Sequence, residues 1–397
     1  MSELISIAEA QRRVLEAVRP LESEDVPLAE ALGRVLAFDL DSPANVPPFD
    51  NSAMDGFAVR AGPPGVLEVI GEARAGHPAA ARVAAGTAIR ISTGALIPEG
   101  TTAVVPIERA REGDRSGRRV RVEASAEGDN IRRAGDDVHA GELVLSRGAI
   151  VGPAELGVAA SIGRATLPCA RRPAVALLVT GDELTEPGEE LDAGGIYSSN
   201  AFALGGLVER APATLLFRTT VRDSAESTRD ALGRALREAD VTCVSGGVSV
   251  GPHDHVKPTL RQLGVTEHFW GVRLRPGKPT WFGTHDESLV FGLPGNPVSA
   301  MVTFLLFVRP ALIALQGASP RIVRISAVLD EPVPLHPIRE QAVRVRLSAR
   351  DDGWHADPTG DQGSHVLTSM LGADGLALVP AGDGETAAGT RLDVELL

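Results

Sequence analysis

Three places along the chain combine glycine with polar side chains in a pattern that suits an anionic ligand. In Val241–Val256, VTCVSGGVSVGPHDHV, a short apolar run stops at Ser245-Gly246-Gly247, and Ser249, Gly251, His253, Asp254 and His255 follow, with Lys257 just beyond. Glycines in such a loop let the backbone approach a ligand and turn its N–H groups toward negative charge. A plain surface turn accounts for this stretch equally well when it is taken alone. The second place is Gly292–Ser299, GLPGNPVS, where Asn296 fits an N-cap and Pro297 the first helical position. Pro294, Gly295 and Ser299 would then stand beside free N–H groups and the positive end of a helix dipole. The third is Thr180-Gly181-Asp182-Glu183.

Carboxylates gather at the same junctions: Glu183, Asp223 and Asp254. Two like charges ~4 Å apart repel by ~4 kcal/mol at an effective dielectric near ~20. A phosphate brought to them adds to that conflict. Mg²⁺, a hard cation that takes a few carboxylates plus phosphate oxygens, resolves it, with Glu183 and Asp254 as its candidate ligands. Lys257, Arg275 and Lys278 could neutralise the rest; the other reading leaves the carboxylates as solvated loop charges that never meet. No cysteine or HxxxH pattern points to zinc, and His253 and His255 read as loop residues. The GxxxxGK[ST] loop and the GxSxG elbow are both absent.

The elements that must position these residues read as α/β. Buried strands at Val175–Val179, Thr214–Thr220, Val241–Val244 and Leu289–Phe291 alternate with helices at 201–209, 225–239, from Pro258, and 298–315. That alternation implies a parallel sheet covered on both faces, with all three junctions on one edge. Before it lie a capped helix from Ser6, a second short helix across Leu28–Leu36, and a proline-rich crossing at Asp41–Phe49. From Phe57 to Asp137 the texture is all-β, with strands at Leu67–Ile70, Ala88–Ile91, Ala103–Ile107 and Arg119–Val122. Asp55, Thr93 and Asp137 stand at its turns. Glu142–Ile150 reads as a strand and Pro153–Ile162 as a helix, so the β region looks inserted between helical segments. Arg321–Leu397 reads as a small β-barrel or sandwich, with Gln362–His365 as its polar spot and a single helix at Val366–Leu371.

The 397 residues allow two to four domains. Hydrophobic content of 43% and charged content of 23% are those of a soluble globular protein. A net charge of −13 argues against a nucleic-acid or anionic-membrane binder. The two cysteines, Cys169 and Cys243, form no CxxC pair. The N-terminus has no signal-peptide pattern, and the longest apolar run, around Val298–Val308, stops at Arg309-Pro310, short of the ~20 residues of a membrane span. The expectation is a cytoplasmic protein. Lys257 and Lys278 are the only lysines, which points to places where a compact ammonium is not replaceable by a guanidinium.

Taken together, SGGVSVGPHDHV, RPGKP and GLPGNPVSA, with NSAMDGFAVR, ISTGALIP, GDNIRRAGDD, VTGDEL and QGSHVL, resemble the molybdopterin molybdenumtransferases, the MoeA and gephyrin E-domain family. The likeness runs nearly end to end and in order. It implies insertion of molybdenum from molybdate into adenylylated molybdopterin with release of AMP, in the presence of Mg²⁺. The fold implied is multidomain α/β plus β. A helical/extended linker domain (1–50 and 140–170) carries an inserted β-domain (51–139), followed by a doubly wound α/β molybdopterin-binding domain (171–318) and a C-terminal β-barrel (319–397). The resemblance also implies a homodimer, whose cleft Asp55, Thr93 and Asp137 would line from the β-domain of one subunit. Glu183, Asp223, Asp254, Pro294 and Pro297 would line it from the α/β domain of the other. Ser245, Gly246, Gly247, Ser249, Gly295, Asn296 and Ser299 would contact phosphate or pterin, and Arg275 and Lys278 would bind molybdate or phosphate. A transient contact with the molybdopterin adenylyltransferase follows from the reaction. The chain departs from the family pattern at Phe57, where tyrosine is common, at Arg275, where lysine is common, and at His253 and His255. A scaffold that keeps the pterin pocket, and the preceding adenylyl transfer, are the alternatives; the former lacks a long linker here and the latter lacks a use for the extra β-domains.

Overall fold

The computed structural model describes residues 4–113, 118–247, 254–320 and 323–397. At its centre a six-stranded sheet takes the order Thr214–Val221, Ala174–Thr180, Val241–Ser245, Ser288–Leu293, Trp281–His285, Thr266–Trp270. Its first four strands are parallel. Leu177 and Val179 point into one apolar cluster and Ala176 and Leu178 into another, so helices cover both faces, as expected of strands that are apolar throughout. The last two strands are antiparallel, and the sheet is mixed where the sequence implied an all-parallel one. Trp281–His285 escaped the sequence reading. A two-residue connection, Asp286-Glu287 with Asp286 at φ 49°, joins it to the next strand, and such a turn links antiparallel neighbours.

Gly292–Ser299 leads into a helix of 19 residues, Pro297–Leu315. It runs on through Arg309-Pro310, as the reading of a helix at 298–315 expected. A π-turn at Phe304–Val308 separates two α-helical stretches, Pro297–Thr303 and Arg309–Leu315. Pro310 has no N–H to give the carbonyl of Leu306 four residues back. Gln11 Nε2 donates to that carbonyl instead, at 3.0 Å. By length and composition this helix could cross a membrane, but 78% of its most apolar window is buried in the fold, against the sheet and the helix Ser199–Arg210.

Gln11 belongs to the first helix, Ile7–Ala17, capped as predicted by Ser6 Oγ, which accepts from the Glu9 amide at 3.1 Å. This helix buries Ile7, Ala10 and Val14 in the α/β core. The helix expected across Leu28–Leu36 is one 3₁₀ turn, Leu28–Glu30; Gly33, at φ 73°, turns the chain out of helical geometry. The strand expected over Glu142–Ile150 is confined to Leu143–Leu145. The inserted sheet, by contrast, forms much as read: Ala103–Pro106, Gly56–Val59, Thr87–Ile91, Gly65–Ala73, Arg119–Val122 and Ala110–Glu112 lie side by side in that order.

The C-terminal segment closes into a five-stranded barrel. Glu340–Arg350 pairs with both Gly353–Pro358 and Gly375–Val379, and Arg324–Leu329 and Arg391–Leu396 complete the ring. Leu274–Arg275, from the α/β domain, joins its edge beside Glu340 and Gln341. The expected helix at Val366–Leu371 is a 3₁₀ turn, Leu367–Met370.

His355, buried in this barrel, sits between two carboxylates, Nδ1 at 2.8 Å from Asp330 and Nε2 at 2.9 Å from Asp352. The hydrogen bond to Asp330, then that to Asp352, raises its pKa above the ordinary value. A folded-state pKa above the unfolded one adds stability that is complete below the unfolded value, about 6.5, and lost as pH rises through the folded one. The melting temperature is therefore expected to fall from mildly acidic to mildly alkaline pH, and His355→Gln to flatten that slope. An equal slope in both proteins, followed by circular dichroism, contradicts this account.

Candidate active site

The polar residues converge at the C-terminal ends of the parallel strands, where the strand order reverses around Ala174–Thr180, the usual ligand-binding edge of such sheets. A cavity of about 830 Å³ opens there. All three glycine-bearing junctions line it: Thr180, Gly181 and Glu183; Ser245, Gly246, Gly247 and Asp254; Pro294, Gly295, Asn296 and Pro297. Asp223 completes the carboxylate group predicted for this edge. Ser249 and His253 lie outside the described residues.

A hydrogen-bonded bolt holds two of the junctions together. Asn200, buried near the start of the helix Ser199–Arg210, donates through Nδ2 to Ser245 Oγ at 2.9 Å and to the Gly295 carbonyl at 2.7 Å. Ser245 Oγ in turn donates to the Pro294 carbonyl at 3.2 Å. The Ser245 hydroxyl is thus committed inside the protein and positions the loop. The glycines are there for space: at Gly246, φ 92°, a Cβ would stand 2.8 Å from both the carbonyl oxygen and Oγ1 of Thr180. Asn296 is the N-cap residue by position, but its side chain makes no cap; Nδ2 donates to Ser364 Oγ of the barrel at 2.9 Å.

The three carboxylates differ in setting. Glu183 and Asp223 are exposed, and the Glu183 carboxylate folds back over Gly181. Asp254 is half-buried, and neither of its carboxyl oxygens has a hydrogen-bond partner among the described residues. Burial pushes its pKa above the ordinary carboxylate value; the Lys257 charge and the nearby Val256 and Lys257 amides oppose this only in part. Lys257 itself lies over the Trp270 ring, 4.7 Å from its centroid, and lines no part of the cavity. No group of three His, Cys, Asp or Glu side chains among the described residues could hold a metal ion. A carboxylate whose oxygens have no partner among the described residues still suits Mg²⁺, which takes one or two protein carboxylates and completes its shell with water and phosphate.

A second cavity, of about 410 Å³, adjoins the first and shares Pro279, Asn296 and His365 with it. Arg275, Lys278 and Arg339 line it together with Ser299 and Ser364, and no carboxylate does. Behind it positive charge is concentrated, and Asp361 offsets only part of it. Burial and the Arg275 charge lower the pKa of Arg339, and burial takes that of Arg344, 1% exposed, to about 10. His336, within hydrogen-bond distance of Arg339, is lowered by burial and by the Arg339 and Arg275 charges. A small anion would relieve this field. Arg339, like Asn200 and Tyr197 at the rim of the larger cavity, was not singled out from the sequence, whereas His365 was marked there only as part of the polar spot Gln362–His365. A lone Arg or Asn carries no motif, and only the fold brings them to the junctions.

Asp55, Thr93 and Asp137 line neither cavity. Asp55 and Thr93 do meet: Thr93 donates to Asp55 Oδ1 through its amide at 2.6 Å and its hydroxyl at 3.0 Å, and these bonds hold the Asp55 carboxyl below its ordinary pKa. All three residues are exposed on the inserted β-domain.

An α/β domain with glycine-bearing junctions around a cavity at its switch edge, together with an inserted β-domain and a closed barrel, defines a multidomain α/β plus β class. Three family models match the chain: "MoeA N-terminal region (domain I and II)" over residues 5–163, "Probable molybdopterin binding domain" over 176–314, and "MoeA C-terminal region (domain IV)" over 326–397. A molybdopterin molybdenumtransferase of Haemophilus influenzae is 35% identical, the match covering 99% of this chain and 98% of the relative. Molybdopterin molybdenumtransferase 2 of Mycobacterium tuberculosis is 38% identical over 98% of each chain. The crystal structure of the molybdopterin biosynthesis MoeA protein of Pyrococcus horikoshii superposes with a TM-score of 0.83 at 30% identity, covering 100% of both chains. The chain belongs to the molybdopterin molybdenumtransferase (MoeA) family.

Proposed function

We propose that this protein inserts molybdenum from molybdate into adenylylated molybdopterin, with release of AMP, in molybdenum cofactor biosynthesis. The observation that carries this reading is the pair of adjoining cavities: a large one with glycine junctions and carboxylates, and a smaller one whose charged side chains are all cationic. The first suits a pterin bearing phosphates, the second a small oxyanion. Glycine-bounded backbone and the Asn296–Pro297 helix start would hold phosphate; Arg275, Lys278 and Arg339 would hold molybdate. Asp254 and Glu183 would hold Mg²⁺, which supplies charge neutralisation for the phosphates.

Asp55, Thr93 and Asp137 act, in this reading, on the cavity of a second subunit in a homodimer. Their exposure and absence from both cavities of their own chain support it. So do Leu32, Phe38, Leu143 and Ile150, each at least half exposed on the segments that flank the β-domain. The domain divisions are those read from the sequence, at 1–50 with 140–170, 51–139, 171–318 and 319–397. The setting is cytoplasmic, and the substrate arrives from the adenylyltransferase by transient contact.

The test is incubation with adenylylated molybdopterin and Mg²⁺, with and without molybdate. AMP release that requires molybdate supports the proposal, and binding without release refutes it. Within that assay Lys278→Ala is expected to raise the molybdate concentration for half-maximal rate about tenfold, the effect of losing one charge-assisted contact of about 1.5 kcal/mol. An unchanged titration removes Lys278 from the anion pocket.

A further inference from the structure

His365 is one of three residues that line both cavities, with Pro279 and Asn296, and is the only one of the three that can carry a proton. Its placement is well fixed. Ser364 accepts from Asn296 Nδ2 through its hydroxyl at 2.9 Å and from the Val298 amide through its carbonyl at 3.2 Å. Buried Arg344 donates to the Gly363 carbonyl at 3.3 Å, and its own amide donates to Gln362 Oε1 at 2.9 Å. The loop is thus pinned on one side to the helix start of the α/β domain and on the other to the barrel. No hydrogen bond engages the His365 ring among the described residues, and the side chain is exposed. The charged groups around it are Arg275, Lys278 and Arg339 from the smaller cavity, Glu183, Asp223 and Asp254 from the larger, and Asp361 in its own loop.

The chemistry proposed above needs a proton at this junction. Molybdenum stays at +6 when it passes from molybdate to a dithiolene. Two Mo–S bonds form, each thiolate supplying an electron pair. One Mo=O bond breaks, and its oxygen departs with the bonding electrons as water after taking up two protons. A substrate that enters as one thiol and one thiolate supplies one of these protons on bonding, and the other comes from the protein or solvent. Guanidinium and ammonium groups keep their protons near neutral pH, whereas imidazoles exchange theirs. We infer that His365 is a catalytic residue, the general acid that protonates the departing molybdate oxygen at the boundary between the two cavities and is then reprotonated from solvent. This rests on the reading of the protein as a molybdenumtransferase.

The test compares the wild type with His365→Gln and His365→Ala in single-turnover transfer of molybdenum to adenylylated molybdopterin, bound metal being measured by mass spectrometry. Binding of adenylylated molybdopterin without molybdate is measured by calorimetry. His365→Gln is expected to slow transfer about 100-fold, the common size of a general-acid contribution, with substrate affinity within about twofold of wild type. The wild-type rate should fall on the alkaline side of its profile, that limb should be missing in His365→Gln, and added imidazole should restore part of the rate to His365→Ala. A His365→Gln rate within about threefold of wild type, an unchanged profile, or a defect confined to affinity overturns the assignment. Wild-type protein that transfers no molybdenum overturns the functional reading and this inference with it, so the two failures are told apart by which protein shows them.

Discussion

Asp254→Asn is expected to lower molybdate-dependent AMP release by about 10²–10³-fold while leaving the melting temperature at or above that of the wild type. The size is that of removing one preorganised electrostatic group from a reacting centre. The stability sign comes from the setting of the carboxyl group. It is half-buried, both oxygens are without partners among the described residues, and burial has already pushed its pKa up. An unsatisfied buried polar group costs about 1–3 kcal/mol, so an ionised carboxylate here is tolerated at the expense of stability. Activity and stability moving in opposite directions mark a functional site. A variant that melts lower and keeps its rate would show instead that Asp254 supports the fold. Thermal melts and the AMP assay on one preparation separate the outcomes.

Gly246→Ala is expected to damage both the fold and the cavity. The left-handed φ of 92° costs an alanine about 1–2 kcal/mol. The new methyl group would also stand 2.8 Å from the Thr180 carbonyl oxygen, which is backbone and has little room to give. Relief requires Ser245–Gly247 to move away from Thr180, toward Gly295, whose own Cβ position is 3.7 Å from the Gly246 Cα. We expect a total loss of about 2–4 kcal/mol in urea unfolding and at least tenfold weaker binding of adenylylated molybdopterin. Wild-type binding by a folded Gly246→Ala protein would show that the loop is not part of the phosphate cradle.

The sequence made the parallel half of the sheet legible because Ala174–Thr180, Val241–Ser245 and Ser288–Leu293 are buried and read as apolar runs, with Thr214–Val221 as the half-exposed edge. Trp281–His285 was missed because Gly283 interrupts its pattern and polar residues crowd its end. In the fold that glycine is required: a Cβ there would stand 2.4 Å from the Trp281 ring. Amphipathic spacing alone overestimated Leu28–Leu36, where Gly33 breaks the turn, whereas 298–315 was rightly read as one helix across Pro310, and the carbonyl that the proline leaves open takes a donor from Gln11, 299 residues before that proline. For the site, motif-bearing glycines, prolines and carboxylates were visible, since their chemistry is local. The supports were not: Asn200 bonds residues 45 and 95 positions further along the chain, and Arg344 bonds Ser369, so neither belongs to a local motif. The lysine pointer was half informative, as Lys278 lines the anion cavity while Lys257 covers Trp270.

The contact between Gln11 and the Leu306 carbonyl bears on how separable the α/β domain is. Its helix carries a proline gap that a side chain from the extreme N-terminal segment fills, and that segment also lays Ile7, Ala10 and Val14 on the same core. A stand-alone version of this domain, cut near 171 and 318, would expose both the open carbonyl and the apolar stripe. The unit that can be exchanged between proteins is therefore the α/β domain together with the first helix. A chimera that transplants residues 171–318 alone would need a substitute for that helix before its cavity could be judged.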